Sequence, residues 1–368
     1  MFTILHIIPT FEGGGAERQL SMLACEQAKR GWSVHVGVRR GGVHEETVRG
    51  NGVVVHKLGD YRGLNPMLGM SINTLIREVK PDLIQTWLMQ MDIMGGAVTL
   101  LNAIPWVISE RNSELGFRYF GVLAWLRFRF GRHANAVVAN SVAGAKYWDD
   151  ILPNGSCAST VSNAVDVEKI CGASPVKIEQ VDTSKDLILV VGRLAHQKAI
   201  EIIIQAVALM SDRNDFQVVI MGDGPLRPEL ELSLQGSKAA EHIVMLPYHK
   251  DWWGLLKVAS VLVSMSRFEG QPNVVLETMA AGCPLIVSDI PEHREILSKD
   301  SAIFVETDNS VALAEAIDLL LGDPVSARQR AALASKFVDH LTLEIAADAY
   351  ESVYEKIMGR SVKQCAAL

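Results

Sequence analysis

The segment TILHIIPTFEGGGAERQLSMLACEQAKRGWSVHV, residues 3–36, decides the fold because it contains a strand, a glycine loop, a helix and a second strand. Thr3–Ile8 is a continuous apolar run, which is typical of a strand buried on both faces of a parallel sheet. Leucine and alanine recur at helical spacing over Ala16–Arg30, and Gly31 follows as a C-terminal stop. Val34–Val38 predicts the next strand.

The same alternation continues along the chain and predicts two doubly wound α/β domains with parallel sheets. A mixed, polar stretch that contains Gly172 and Pro175 interrupts it, and this stretch is typical of a linker. We therefore expect an N-terminal domain over residues 1–165, a linker over 166–186, a second domain over 187–340 and a final helical segment over 341–368. In sheets of this kind, ligands bind at the carboxyl ends of the strands.

Composition and charge exclude several classes of protein. The chain has 368 residues, 49% hydrophobic and 21% charged, with a formal net charge of -7, which does not favour nucleic-acid binding. Its five cysteines include no CxxC pair, which argues against a disulfide framework or zinc site and fits a reducing compartment. The N-terminus lacks a basic leader region, and no run of 18 apolar residues is present. We therefore expect a cytoplasmic protein.

The strongest site signal is SRFEGQPNVVLE, residues 266–277, which follows a predicted strand. Pro272 suits the first position of a helix, and the amide groups that follow it would form an anion site. Glu269 and Glu277 would repel phosphate, so they favour neutral sugar or ribose hydroxyls. A solvated helix start with two unremarkable acids fits this segment equally well.

Three other loops follow predicted strands. Gly192–Lys198 contains Arg193 and Lys198, which could neutralise a diphosphate, although two such cations are more often exposed to solvent. Gly222–Pro225 favours a tight turn into a helix. The loop at Gly13–Gly15 lacks the glycine spacing of a dinucleotide-binding fingerprint. It could bring the backbone close to a phosphate or sugar, or it could be merely a flexible loop.

The segment Gly116–His133 combines six aromatic residues with four arginines. A helix of this kind could lie on an anionic membrane surface, for example the inner face of the plasma membrane. The other interpretation is a helix that packs on the core and keeps its arginines on the solvent side. The sequence alone does not decide between them.

Five motifs, taken in order, resemble glycosyltransferase family 4, a retaining family with the GT-B fold. They are Gly13–Arg18, Ser162–Asp166, Gly192-Arg193 with Lys198, Gly222–Pro225, and Glu269 to Glu277 followed by Met279–Pro284. The resemblance covers nearly the whole chain. It implies an α/β protein with two Rossmann-like domains facing each other across a cleft, and a last helix, Leu343–Met358, that crosses back to the N-terminal domain.

The resemblance also implies a role for each matching residue. Arg193 and Lys198 would hold the donor diphosphate, Glu269 would contact the transferred sugar, and these three are the implied catalytic residues. Glu277 would bind the ribose. The other implied donor-binding residues are Gly14, Gly15, Gly270, Gln271, Asn273, Val274 and Val275.

Two departures from the family pattern concern individual positions. Ala199 follows Lys198, where the family usually has glycine. Many members also have a histidine beside the reacting sugar, and this sequence has none at the matching places. The candidates for the acceptor side are therefore Gln90, Glu110, Arg111 and Asn112.

The implied activity is retaining transfer of a sugar from a nucleotide-diphosphate sugar, most commonly a UDP-sugar, to a glycan or polyprenol-linked acceptor. Bacterial surface polysaccharide or lipopolysaccharide synthesis is the implied setting. No cofactor is implied, and the absence of an Asp-x-Asp pair fits a metal-independent reaction. Two alternatives stay open: a nucleotide-sugar epimerase on the same fold, and a non-catalytic subunit that binds nucleotide sugars.

Overall fold

The computed structural model describes residues 1–117, 120–153, 156–210, 212–249, 251–359 and 361. The chain divides into two compact units. The first unit comprises Met1–Ala164 together with Leu343–Leu368, and the second comprises Val165–Thr342. Within the described residues, no helix combines the length and the apolar character needed to cross a membrane.

The first unit contains a parallel sheet with the strand order β3-β2-β1-β4-β5-β6-β7. The strands are β1 Thr3–Thr10, β2 Ser33–Arg40, β3 Val54–Lys57, β4 Leu83–Trp87, β5 Trp106–Glu110, β6 Ala136–Ala139 and β7 Cys157–Thr160. The helices are α1 Gly15–Lys29, α2 Glu45–Gly50, α3 Pro66–Val79, α4 Met89–Leu101, α5 Gly121–Gly131 and α6 Val142–Asp149. The sequence had not predicted the edge strands β3 and β7.

The first strand shows why a continuous apolar run becomes the centre of this sheet. Ile4 and Ile8 belong to the apolar cluster that includes Leu20 of α1. Leu5 and Ile7 belong to a different cluster, which includes Ile72 of α3. Because alternate side chains of a strand point to opposite faces, helices cover both faces of the sheet.

The second unit contains a parallel sheet with the strand order β10-β9-β8-β11-β12-β13. The strands are β8 Asp186–Val191, β9 Phe216–Met221, β10 Ile243–Leu246, β11 Val261–Ser264, β12 Leu285–Ser288 and β13 Ile303–Val305. The helices are α7 Val167–Cys171, α8 Ile200–Leu209, α9 Arg227–Leu234, α10 Trp253–Leu256, α11 Asn273–Ala280, α12 Pro291–Arg294, α13 Ser310–Gly322 and α14 Pro324–Val338. Helix α7 lies inside the segment 166–186 that the sequence suggested as a linker.

The last helix, α15, spans Leu343–Met358 and packs against α1 of the first unit. Arg30, which directly follows α1, pairs with Glu351 at 2.8 Å and with Asp348 at 2.7 Å. The hydroxyl of Tyr354, which is buried, donates a hydrogen bond to Gln85 of β4. These contacts make a segment from the end of the sequence part of the first unit.

Candidate functional site

Two loops of the second unit meet at the carboxyl ends of β8 and β11. The loop after β8 ends in a 3-10 turn, His196–Lys198, and the loop after β11 carries Glu269. The amide of Arg267 donates to the carbonyl of Gln197 at 2.8 Å, so backbone hydrogen bonding joins the loops. Since these strands are neighbours in the sheet, two motifs predicted separately become one site.

The centre of this site is a salt bridge between Lys198 and Glu269. Glu269 is only 7% exposed, and its carboxylate also accepts a hydrogen bond from the Ser266 hydroxyl at 2.7 Å. The Gln197 side-chain amide lies 3.3 Å from its second oxygen. Burial alone would raise the pKa of Glu269, but the Lys198 ammonium and the hydrogen bonds from Lys198 and Ser266 lower that pKa below its usual value. The carboxylate is therefore ionised at neutral pH.

Arg193 lies in the loop after β8 and differs from Lys198 in its surroundings. Arg193 is exposed, and its guanidinium has no hydrogen-bond or ion-pair partner within the described parts of the chain. A cation that is not already neutralised by a carboxylate is available to bind an incoming anion.

Ala199 has a backbone φ of +48°, in the left-handed region, at the position where the family usually has glycine. A residue with a Cβ atom is disfavoured in that region by roughly 1–2 kcal/mol, which gives the family preference a physical reason. The turn at Gly222–Pro225 is structural. A Cβ atom on Gly222 would lie 1.9 Å from the carbonyl oxygen of Gly192, so only glycine permits this close approach to the site loop.

Helix α11 begins at Asn273, so the prediction that it begins at Pro272 is wrong by one residue. Pro272 instead occupies the position before the helix with an extended backbone, and the proline ring restricts its φ to near the observed -78°. Gly270 and Gln271, both buried, precede it, and Val274 and Val275 lie in the first turn. The first amides of any helix lack partners four residues back, and the helix dipole makes that end attractive to anions.

Glu277 lies more than one turn inside α11 and is 3% exposed. Its carboxylate accepts a hydrogen bond of 2.6 Å from the indole of Trp253. The ring of Trp253 also contacts the Lys169 ammonium, which lies 5.5 Å from the ring centroid. Trp253 was not among the predicted site residues, although two adjacent tryptophans, Trp252 and Trp253, directly after the polar residues His249–Asp251 were an available signal.

In the first unit, Gly14 and Gly15 are exposed at the start of α1. Gly14 has an extended backbone and is the residue before the helix, and Gly15 is its first residue. The hydroxyl of Thr10, the last residue of β1, donates a hydrogen bond of 2.9 Å to the buried carboxylate of Glu17 in the first turn of α1. The glycine loop therefore leads directly from the carboxyl end of β1 into the first turn of a helix.

The four acceptor-side candidates fall into two places in the first unit. The Gln90 side chain donates to the carbonyl of Gly63 at 2.6 Å and so holds a neighbouring loop. Glu110 is the last residue of β5, and Arg111 and Asn112 follow it directly. One carboxylate oxygen of Glu110 accepts hydrogen bonds from the backbone amides of Arg111, at 2.8 Å, and Asn112, at 3.0 Å.

The second oxygen of Glu110 lies in a buried ionic cluster that the sequence analysis missed. It accepts hydrogen bonds from Arg127 at 2.7 Å and from the Trp148 indole at 2.8 Å. Arg127 also pairs with Asp92 at 2.7 Å, and these three charged residues are at most 1% exposed. Because its carboxylate is fully engaged, Glu110 is suited to hold the turn. The Arg111 guanidinium donates to the Asn163 side chain at 2.9 Å and lies 4.7 Å from the centroid of the Trp87 ring, so it is also held by protein groups.

This cluster changes the interpretation of Gly116–His133, of which residues 118 and 119 lie outside the described part. The expectation that its arginines lie on the solvent side is wrong for Arg127, because two carboxylates stabilise that charge inside the core. Burial raises the pKa of Asp92 to about 6 despite the attraction of Arg127. In contrast, Trp125 and Val122 on the same helix are 62% and 72% exposed.

Comparisons with known proteins agree on one family. A model described as Glycosyltransferase Family 4 matches residues 13–169, and one described as Glycosyl transferases group 1 matches residues 185–323. The alpha-D-kanosaminyltransferase of Streptomyces kanamyceticus is 29% identical over 47% of this chain and 46% of its own length. An N-acetylgalactosaminyltransferase of Campylobacter jejuni, whose name specifies an undecaprenol-diphosphate-linked saccharide, is 26% identical over 88% of this chain and 90% of its own. This chain thus matches less than half of some curated relatives and most of others.

Solved structures show the same fold at low identity. The Anabaena protein HepE in complex with UDP and glucose has a TM-score of 0.84 and 16% identity, and the match covers 96% of this chain and 100% of that one. WaaG, described as a glycosyltransferase involved in lipopolysaccharide biosynthesis, has a TM-score of 0.75 and 14% identity, with 94% and 98% coverage. The two parallel-sheet units therefore have the GT-B fold, which the family resemblance implied.

Proposed function

The chain belongs to glycosyltransferase family 4, glycosyl transferases group 1, and we propose from this that it transfers a sugar from a nucleotide-diphosphate sugar to a glycan or polyprenol-linked acceptor. The observation that carries the proposal is the Lys198–Glu269 pair at the carboxyl edge of the second sheet, beside exposed Arg193. One site then offers cations for a diphosphate and an ionised carboxylate for sugar hydroxyls.

The proposed reaction breaks the bond between the anomeric carbon of the sugar and a phosphate oxygen. A bond from that carbon to the acceptor oxygen forms on the same face, and the acceptor proton passes to the leaving phosphate. Arg193, Lys198 and the first turn of α11 stabilise the negative charge as it develops on the leaving group. Because protein cations neutralise this charge, the proposal includes no metal ion, and the donor is a substrate and not a cofactor.

The remaining donor contacts follow the family pattern. We assign the ribose to Glu277, whose carboxylate Trp253 orients. The backbone from Gly270 to Val275 then holds phosphate and sugar, and a donor contact for Gly14 and Gly15 stays a prediction from the family pattern. A UDP-sugar donor and an acceptor of bacterial polysaccharide synthesis are proposed because structures related in fold contain UDP and several relatives are named for such acceptors.

A panel of nucleotides and nucleotide sugars in a thermal-unfolding assay tests donor binding. UDP and a UDP-sugar are expected to stabilise the protein by about 2.7 kcal/mol when present at a hundred times their dissociation constant. GDP and ADP at the same concentration serve as matched controls and should shift the transition less. If no nucleotide diphosphate shifts the transition, the donor site is misassigned.

Two further measurements separate the proposed transfer from its two rivals. Incubation of the bound donor without an acceptor should leave the sugar unchanged apart from slow hydrolysis. Appearance of an isomer of the donor sugar would favour the epimerase. Donor binding without transfer to any acceptor from a panel of lipid-linked saccharides would favour a non-catalytic subunit.

We also propose that α5 contacts an anionic membrane, because this helix exposes Val122 and Trp125 near the exposed basic residues Arg129 and Arg132. An exposed aromatic side chain beside basic residues is the combination that interfacial helices use. This contact would hold the protein at the surface where polyprenol-linked acceptors lie. It is consistent with a location at the inner face of the plasma membrane.

Sedimentation with vesicles that contain anionic lipid tests the membrane contact. We expect binding at low salt that weakens as salt is added, because screening reduces attraction between exposed charges and the surface. Trp125→Ala should weaken it at every salt concentration by removing exposed apolar area. Exposed Leu319→Ala in the second unit is the control and should bind as the unmodified protein does. Equal binding to neutral vesicles, or none at low salt, would contradict the proposal.

A further inference from the structure

His293 is a fully buried histidine in α12 that no step of the proposed reaction uses. Its Nδ1 lies 2.8 Å from the carbonyl oxygen of Ser288, which can only accept a hydrogen bond. Nδ1 must therefore carry the proton. Burial lowers the pKa of His293 to about 4, so the ring is neutral and its Nε2 is an unprotonated acceptor.

The Nε2 atom of His293 is buried and has no hydrogen-bond partner within the described residues. A buried acceptor without a partner costs about 1–3 kcal/mol, and an apolar side chain of similar size would avoid that cost. A side chain that only fills space at this position would not need a ring nitrogen. The cost at Nε2 therefore indicates that the other nitrogen of the ring, Nδ1, contributes more than packing through the hydrogen bond that it donates.

A chain of hydrogen bonds connects His293 to Glu269. The Ser288 hydroxyl, at the end of β12, donates to the carbonyl of Ser266 at 2.5 Å. The Ser266 hydroxyl in turn donates to the carboxylate of Glu269 at 2.7 Å. His293, Ser288 and Ser266 are all fully buried, so water does not compete for these bonds. The charged groups that act on His293 are Glu269 and Lys198 themselves.

We propose that His293 is a positioning residue for Glu269, acting through Ser288 and Ser266 to hold the carboxylate in the orientation that contacts the transferred sugar. The inference rests on the proposed function for the role of Glu269. By fixing the carbonyl of Ser288, the imidazole fixes the end of β12. The end of β12 fixes the turn after β11, and the Ser266 hydroxyl then selects one orientation of the Glu269 carboxylate.

The test compares His293→Leu with His293→Asn, since leucine and asparagine have nearly the same shape but only asparagine can donate to the Ser288 carbonyl. We expect His293→Leu to lower kcat about 10- to 100-fold at saturating donor, the cost of a catalytic group displaced by about 1 Å. The KM for the donor should change little, because the cations and Glu277 are untouched. His293→Asn should recover most of kcat.

Ser288→Ala should lower kcat as His293→Leu does. The double variant should lose little more than either single variant, because His293 and Ser288 act through one chain of hydrogen bonds.

A second readout does not depend on activity. NMR titration of 13C-labelled glutamate should show that the pKa of Glu269 rises in His293→Leu and Ser288→Ala, and stays near that of the unmodified protein in His293→Asn. The inference is overturned if His293→Leu leaves kcat and this pKa unchanged, or if the leucine and asparagine variants lose activity equally. If the unmodified protein transfers no sugar but its Glu269 titration responds as described, the proposed function fails and the positioning chain stands. If His293→Leu does not fold, Ser288→Ala decides between these outcomes.

Discussion

Arg127→Ala is expected to lower the free energy of unfolding of the first unit by about 3–5 kcal/mol, because it leaves two buried carboxylates without their cation. Asp92 and Glu110 come from α4 and β5, and each lies 2.7 Å from the Arg127 guanidinium. Their like charges would then face each other in the core. The turn that carries Arg111 and Asn112 depends on Glu110, so donor-dependent transfer should fall as well.

Native-state hydrogen exchange of the amides in β5 and α5 measures this loss locally, which matters because a chain with two units need not unfold in one step. Arg129→Ala on the same helix is the matched control, since that arginine is exposed and, among the described residues, its side chain has a hydrogen-bond contact only with exposed His133. Its effect should stay within about 0.5 kcal/mol. A loss below about 1 kcal/mol for Arg127→Ala would mean that the cluster is not a stabilising element.

Lys198→Ala is expected to raise the barrier to transfer by about 2–4 kcal/mol, by analogy with the removal of one donor from an oxyanion hole. This corresponds to a roughly 30- to 1000-fold loss of turnover. Two effects contribute. The leaving diphosphate loses a cation, and Glu269 loses the charge that, together with hydrogen bonds, keeps its pKa below its usual value in a buried position.

Steady-state transfer at saturating donor measures the effect, and exposed Lys257→Ala in the same unit controls for a general loss of positive charge. Glu269→Ala should abolish transfer and leave the fold intact, since two of its three side-chain partners in the described chain, Lys198 and Gln197, are partly exposed and only the Ser266 hydroxyl is left buried without its acceptor. Turnover of Lys198→Ala within a factor of three of the unmodified protein would remove Lys198 from the proposed chemistry.

The sequence predicted the central strands well because their residues are buried on both faces. The predicted strands Thr3–Ile8 and Val34–Val38 lie within the observed strands Thr3–Thr10 and Ser33–Arg40, because apolar runs of this kind pack on both faces of a parallel sheet. The missed strands, β3 and β7, lie at the two edges of their sheet, where exposed and polar side chains such as those of Cys157–Thr160 weaken the pattern. Propensity rules detect such edges poorly.

The candidate site could also be predicted only in part. Placing Lys198 and Glu269 after two strands followed from the pattern, but their salt bridge depends on β8 and β11 being neighbours, which local sequence does not state. The burial of Arg127 depends on carboxylates 35 and 17 positions away along the chain. Likewise, nothing near His293 in the sequence reveals that hydrogen bonds made by Ser288 and Ser266 lie between its ring and Glu269.

The attachment of α15 to the first unit sets the order in which the units can be completed during synthesis. A ribosome releases residues 1–164 long before Leu343–Met358, yet Tyr354 and its neighbours form part of the apolar cluster under α1. Val165–Thr342 is continuous, so the second unit can finish folding while the first still lacks a helix. The part of the chain that emerges first is the last to be complete, and a nascent protein stalled before residue 343 would present that uncovered surface to chaperones.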